Sequence, residues 1–216
     1  MDYQILHQDT FPVVQIKLAS GEKINCERDA TITRRGGLTV SGAIKDGLVA
    51  GIARSLLTSE SFFTQIVSAD KGPGEAIIGS GLPGSVVPLE ITGSNSFLVE
   101  KGGFLACTEG VTISTKMQGL MKGLFSKEGF FIIRLSGEGL AFISSFGAAH
   151  RFDLASGEEL VVDNGHTLAW EERVQYEITR STAGVVSNLT SGEGLVCRFR
   201  GPGTVYIHTL KYVSTR

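Results

Sequence analysis

Apolar and polar residues alternate with a period of two along most of the chain, in short runs that stop at glycine, proline or an acidic turn. Val13-Val14-Gln15-Ile16-Lys17-Leu18 and Thr204-Val205-Tyr206-Ile207 are typical. This pattern belongs to half-buried strands. It predicts an all-β fold of many short strands.

The runs also recur in register. Leu-Ala-Ser-Gly-Glu stands at 18–22 and again at 154–158. Beyond it, Ile24, Cys26, Glu27, Leu38 and Val40 match Leu160, Val162, Asp163, Val174 and Tyr176. The middle of the chain fits as Phe97, Val99, Glu100, Val111 and Ile113. Gly72-Pro73-Gly74, Gly137-Glu138-Gly139 and Gly201-Pro202-Gly203 each precede a further apolar run. The spacing predicts one domain over 1–216 with three internal repeats, roughly 11–80, 86–147 and 148–212. A unit this small cannot bury both faces of its sheets alone, so packing around a pseudo-threefold axis is expected. Ser80–Ser85 reads as the turn from the first unit into the second. Asn164-Gly165 predicts a two-residue hairpin turn.

One feature breaks the alternation in each unit. Gly47–Leu57 has counterparts at Gly119–Phe125 and Gly184–Leu189. Leu48, Ile52 and Leu56 have the spacing of a short helix, although two glycines oppose it. If the axis gathers Leu48, Ile52, Leu120, Met121, Leu124, Phe125, Val185 and Leu189 at one end, they form an apolar patch suited to a protein or membrane contact. The other reading is that they fold back and plug that end.

Composition narrows the function classes. Glycine numbers 28 and proline 5 in 216 residues, which suits a turn-rich β protein. A formal charge of −2 and a pI near 6.1 exclude a broad nucleic-acid surface. The three cysteines lie far apart and form no disulfide framework. The acidic N-terminus lacks a leader pattern, and no apolar run is long enough for a membrane span. A cytoplasmic location is expected.

Catalytic patterns are sparse. His7, His150, His166 and His208 show no ligand spacing; the best metal seed is His166 with Asp163, and neither metal nor cofactor is expected. No Gly-x-Ser-x-Gly elbow occurs, and Cys107 and Cys197 sit in apolar alternations as small hydrophobes. Gly79–Gly84 matches a dinucleotide fingerprint formally, but extended Val86-Val87-Pro88 follows in place of a helix. Glu171-Glu172 reads as a solvated turn. Trp170, the single tryptophan, takes the repeat position of Cys107 and Arg34. It is either core or, with His166 and Tyr176, the wall of a ligand pocket.

Longer strings carry a family likeness. They include Glu60-Ser61-Phe62-Phe63, Pro83-Gly84 with Val87-Pro88-Leu89, Gly103-Phe104-Leu105-Ala106 and Glu128-Gly129-Phe130-Phe131. Ser144-Ser145-Phe146-Gly147, Val162-Asp163-Asn164-Gly165-His166 and Ser191-Gly192-Glu193-Gly194-Leu195-Val196-Cys197 continue the series. In these the chain resembles, over essentially its whole length, the bacterial branch of the altered-inheritance-of-mitochondria family of uncharacterised proteins. It departs in the first repeat, where Ser20 replaces a frequent proline and Asp29-Ala30-Thr31 a Gly-Ala-Met string. The resemblance implies a fold like that of the tryptophan-RNA-binding attenuation protein, tripled within one chain. It supplies no catalytic residues and does not carry tryptophan or RNA binding across.

The combined expectation is a non-enzymatic structural or interaction protein. Its partner would be another protein or itself as a homo-oligomer, with peripheral membrane contact and no nucleic acid. The alternative is a small-ligand-binding β-barrel with a pocket near Trp170.

Overall fold

The computed structural model describes residues 1–42, 64–116, 132–180 and 195–211. They form nineteen strands, with two short 3-10 turns and no α-helix among the described residues. The first set is β1 (Asp2–Leu6), β2 (Val13–Leu18), β3 (Lys23–Glu27), β4 (Thr31–Gly36), β5 (Thr39–Gly42), β6 (Thr64–Ser68) and β7 (Gly74–Gly79). The second is β8 (Val86–Ile91), β9 (Phe97–Glu100), β10 (Phe104–Thr108), β11 (Val111–Lys116), β12 (Ile132–Gly137) and β13 (Gly139–Ser144). The third is β14 (Ala149–Leu154), β15 (Glu159–Asp163), β16 (Thr167–Glu171), β17 (Gln175–Arg180), β18 (Leu195–Arg200) and β19 (Gly203–His208).

Every ladder between these strands is antiparallel. The pairs β2–β7, β4–β7, β3–β6 and β5–β6 occur again as β8–β13, β10–β13, β9–β12 and β11–β12. They occur a third time as β14–β19, β16–β19, β15–β18 and β17–β18. Even the irregularities coincide: the register shifts at Thr31/Thr33, at Phe104/Ala106 and at Thr167/Ala169. Two further ladders, β3–β10 and β9–β16, tie each set to the next. The result is a four-stranded sheet β1-β2-β7-β4, two six-stranded sheets, β5-β6-β3-β10-β13-β8 and β11-β12-β9-β16-β19-β14, and a three-stranded sheet β15-β18-β17.

The alternating residues explain the layers. On β2, Val14, Ile16 and Leu18 are buried while Gln15 and Lys17 turn outward. They join Ile24, Val67 and Ile78 in one core cluster, and Leu105, Ala106 and Phe142 meet them from the next sheet. Phe104 and Cys107, on the other face of β10, enter a second cluster with Val99, Ile133 and Ile143. A third gathers Leu98, Leu154, Trp170, Cys197, Phe199 and Val205. Strands at the centre of the six-stranded sheets are packed on both faces, so β10 and β16 lose the alternation and read as continuous buried runs. Each fully buried Leu, Ile or Phe in these clusters contributes about 1.5–3 kcal/mol relative to exposure.

Two sequence expectations are corrected. Asn164-Gly165 does not form a hairpin, because β15 and β16 lie in different sheets. Asn164–His166 is instead a 3-10 turn in which the Asp163 carboxylate accepts the Gly165 N–H at 2.9 Å. The side-chain cap satisfies the turn locally and leaves each strand free to pair elsewhere. Glu171 is no solvated turn residue either: it ends β16 at 6% exposure and accepts a bond from Arg173 at 2.6 Å. The apolar segments holding Leu48, Ile52, Leu120, Met121, Leu124, Phe125, Val185 and Leu189 lie outside the described residues.

The 80–85 segment does lead from β7 into β8, and it is tied down where it passes Ser145-Phe146-Gly147. Ser145 N–H donates to Ser85 O at 2.9 Å and Gly147 N–H to Pro83 O at 2.8 Å. A Cβ at Gly84 would overlap the Ser145 carbonyl. Gly84→Ala is therefore expected to cost about 1–3 kcal/mol through forced backbone movement, read as a lowered urea midpoint.

Candidate interaction site

Trp170 sits at the centre of the third cluster, wholly buried. Tyr176 meets its ring edge-on at a centroid distance of 4.8 Å, and Phe199 lies at 5.3 Å. Its indole N–H has no hydrogen-bond partner among the described residues. The structure thus joins Trp170 to Tyr176, but in close-packed core. His166 belongs elsewhere: its Nδ1 lies 2.8 Å from the backbone oxygen of His208. Asp163, its companion in the suggested metal seed, is held by Gly165 N–H and by Lys211 at 3.2 Å. Among the described residues no three His, Cys, Asp or Glu side chains converge as metal ligands.

The cysteines are also core. Cys26, Cys107 and Cys197 are free and fully buried. Burial raises all three thiols, Cys107 to about 12 and Cys197 to about 11, well away from a reactive thiolate.

Buried acids appear where two sets meet. Glu27 at the end of β3 and Glu100 at the end of β9 are partly buried, and desolvation pushes each carboxyl up to about 7. Lys101 pulls both back. Glu100 also accepts the Gly102 N–H at 2.7 Å, capping the turn Lys101–Gly103 much as Asp163 caps its own. A groove of about 690 Å³ runs between β1 and β8, lined by Tyr3, Ile5, Pro12, Val86 and Pro88 among others.

The larger feature is a pair of open sheet edges. β3, β9, β10 and β16 each carry partners on both sides. Their counterparts β4 and β15 do not: among the described residues β4 pairs only with β7, and β15 only with β18. Exposure follows pairing. Ile32 on β4 is 58% exposed, whereas Leu105 and Leu168 at the same position are 0%. Val161 on β15 is 47% exposed, whereas Leu98 is 0%. An edge strand presents a row of unpaired N–H and C=O groups and is a template for another strand.

The two edges differ in charge. β4 carries Arg34 and Arg35; β15 is entered through Glu158 and Glu159 and ends at Asp163. Within the chain, Arg35 pairs with Glu75 at 3.0 Å, Glu159 with Arg198 at 2.9 Å, and Glu158 caps Ala155 N–H at 2.7 Å. Sequence reasoning passed over these strands. A signal was present: polar Thr31-Ile32-Thr33-Arg34-Arg35 stands where the other sets have Phe104-Leu105-Ala106-Cys107-Thr108 and Thr167-Leu168-Ala169-Trp170-Glu171.

Comparison with known proteins agrees with the fold. An uncharacterised protein of Streptococcus pyogenes serotype M6 is 29% identical over 217 residues, covering 97% of this chain and 86% of that protein. A crystal structure of a Streptococcus pyogenes protein superposes with a TM-score of 0.80 at 27% identity, covering 97% of this chain and 94% of the other. Among the described residues no helix is long and apolar enough to cross a membrane. The profile of the family described as mitochondrial biogenesis AIM24 matches residues 3–210, essentially the whole length, and the chain belongs to that family.

Proposed function

We propose that this protein is a non-enzymatic structural or interaction protein of the cytoplasm, acting through contacts with protein, itself included. Its body is read as three equivalent β units, each like a subunit of the tryptophan-RNA-binding attenuation protein. The recurrence of four ladders and one register shift in three sets supports that reading. Fully closed about a pseudo-threefold axis within one chain, such units would make a third seam like β3–β10 and β9–β16, namely β15 on β4. That ladder is not among the described pairings.

The open edges carry the functional reading. Two strands with exposed backbone, exposed Ile32 and Val161 and charged flanks form a contact surface, not a reaction centre. The apolar segments Gly47–Leu57, Gly119–Phe125 and Gly184–Leu189, outside the described residues, come after β5, β11 and β17 in the sequence and remain the expected place for protein or peripheral membrane contact.

Native mass spectrometry of the untagged protein tests the reading. An oligomer free of added mass is the expected result. A monomer carrying a stoichiometric small molecule would overturn it in favour of a ligand-binding barrel around Trp170.

A further inference from the structure

We propose that the exposed β4 edge of one molecule receives the β15 edge of a second copy, forming an antiparallel seam that continues the two seams within the chain. This rests on the interaction reading above and names its partner and register.

The internal seams set the register. On β3–β10, Ala106 pairs with Cys26 and Cys107 with Asn25; on β9–β16, Ala169 pairs with Val99 and Trp170 with Leu98. Thr33 and Arg34 occupy the places of Ala106 and Cys107 against β7, since Thr33 pairs with Ile77 and Arg34 with Ala76 as Ala106 and Cys107 pair with Phe142 and Ala141. Val162 and Val161 occupy those of Val99 and Leu98 against β18. The seam therefore matches Thr33 with Val162, Arg34 with Val161 and Arg35 with Leu160. The register shift at Thr31/Thr33 already gives β4 the shape that β10 and β16 have inside their seams.

Charge fits this register. In an antiparallel pair the same-face diagonal neighbours lie two residues along the partner strand, within reach of long side chains. Arg34 opposite Val161 is thus flanked diagonally by Glu159 and Asp163, and Arg35 opposite Leu160 by Glu158. Arginine on a bare edge discourages promiscuous pairing. Opposite acidic β15 it selects one partner strand. Ile32 and Val161, exposed in the single chain, would come under the cover that Leu105 and Leu98 already have.

Each molecule offers one β15 and one β4. Reciprocal exchange gives an isologous dimer and head-to-tail exchange a larger heterologous ring, and in either every seam is made.

The test uses two single variants of the full chain, Arg34→Cys and Val161→Cys, both at exposed positions. Cys26, Cys107 and Cys197 are fully buried and do not compete for a thiol cross-linker. Treating an equimolar mixture with a short bis-maleimide is expected to give a covalent dimer that neither variant gives alone. Arg34→Glu, which sets a third acid beside Glu159 and Asp163, is expected to weaken association about tenfold. Cross-linking within one chain in the Arg34→Cys/Val161→Cys double variant would overturn the proposal, because the seam would then close internally. No cross-link in the folded mixture would overturn it as well. If the native protein is nevertheless a ligand-free oligomer, only the seam falls. If it is a monomer with a bound small molecule, the interaction reading falls with it.

Discussion

Trp170→Ala is expected to destabilise the protein by about 3–5 kcal/mol, the range for emptying a large aromatic site in a packed core. The indole is wholly buried, with Tyr176 and Phe199 on its ring and Leu98 and Val205 paired beside it. β16 is laddered on both sides, to β9 and to β19, so its backbone cannot move into the gap without breaking one of them. Trp170→Phe is expected to cost only about 1 kcal/mol, because the indole N–H donates to nothing among the described residues and no bond is lost with it. Urea unfolding of both variants checks this. A cost for Trp170→Ala below about 1 kcal/mol would mean that the residue lines an open pocket.

The second large effect is on the pH profile. Glu27 and Glu100 carry pKa values raised to about 7 by burial, against 4.5 for an ordinary glutamate. The folded chain therefore holds protons that the unfolded chain has released, and stability falls as pH rises through this interval. His208 works the other way. Burial and the neighbouring His166 push it from 6.5 down to about 4, so its contribution is complete above pH 6.5 and is lost as pH falls toward 4. The lowered carboxyls Glu22, Glu75 and Asp153 act below the ordinary carboxylate range. Between pH 6.5 and the thiol range the two raised glutamates dominate among the described residues, with an expected loss on the order of 1–2 kcal/mol up to about pH 8. Glu27→Gln/Glu100→Gln removes the charge but keeps an amide oxygen for Gly102. At about pH 8 it is expected to exceed the wild type by a few kcal/mol, with the gain shrinking toward pH 5. Melting temperatures of the two proteins across that range give the comparison. An unchanged difference would show that these carboxylates do not titrate with folding.

Much of the architecture was legible because it is local. Alternation in Val13–Leu18 and the recurrence of Leu-Ala-Ser-Gly-Glu reflect side-chain period and turn chemistry, which neighbouring residues determine. The burial of Cys107 also followed from an apolar residue inside an apolar run, whereas for Trp170 core was one of two readings. The Asn164-Gly165 turn misled because the positive φ that Asn-Gly permits goes unused: neither residue adopts it, and the Asp163 carboxylate caps a 3-10 turn in place of a hairpin. Which one forms depends on where β15 and β16 find their partners. Glu171 misled for a related reason, since Arg173, two residues on, covers a carboxylate that the charge pattern alone places in water.

Residue patterns along the chain were enough to predict short half-buried strands, the turns between them and an apolar core. Which strands stand side by side was settled in the folded molecule, because pairing joins residues far apart in the chain and the alternation of a strand does not name its partner. Arg34 at the position of Cys107 and Trp170 is a single substitution in the sequence. In the fold it lies on β4, an edge strand that among the described residues pairs with β7 alone.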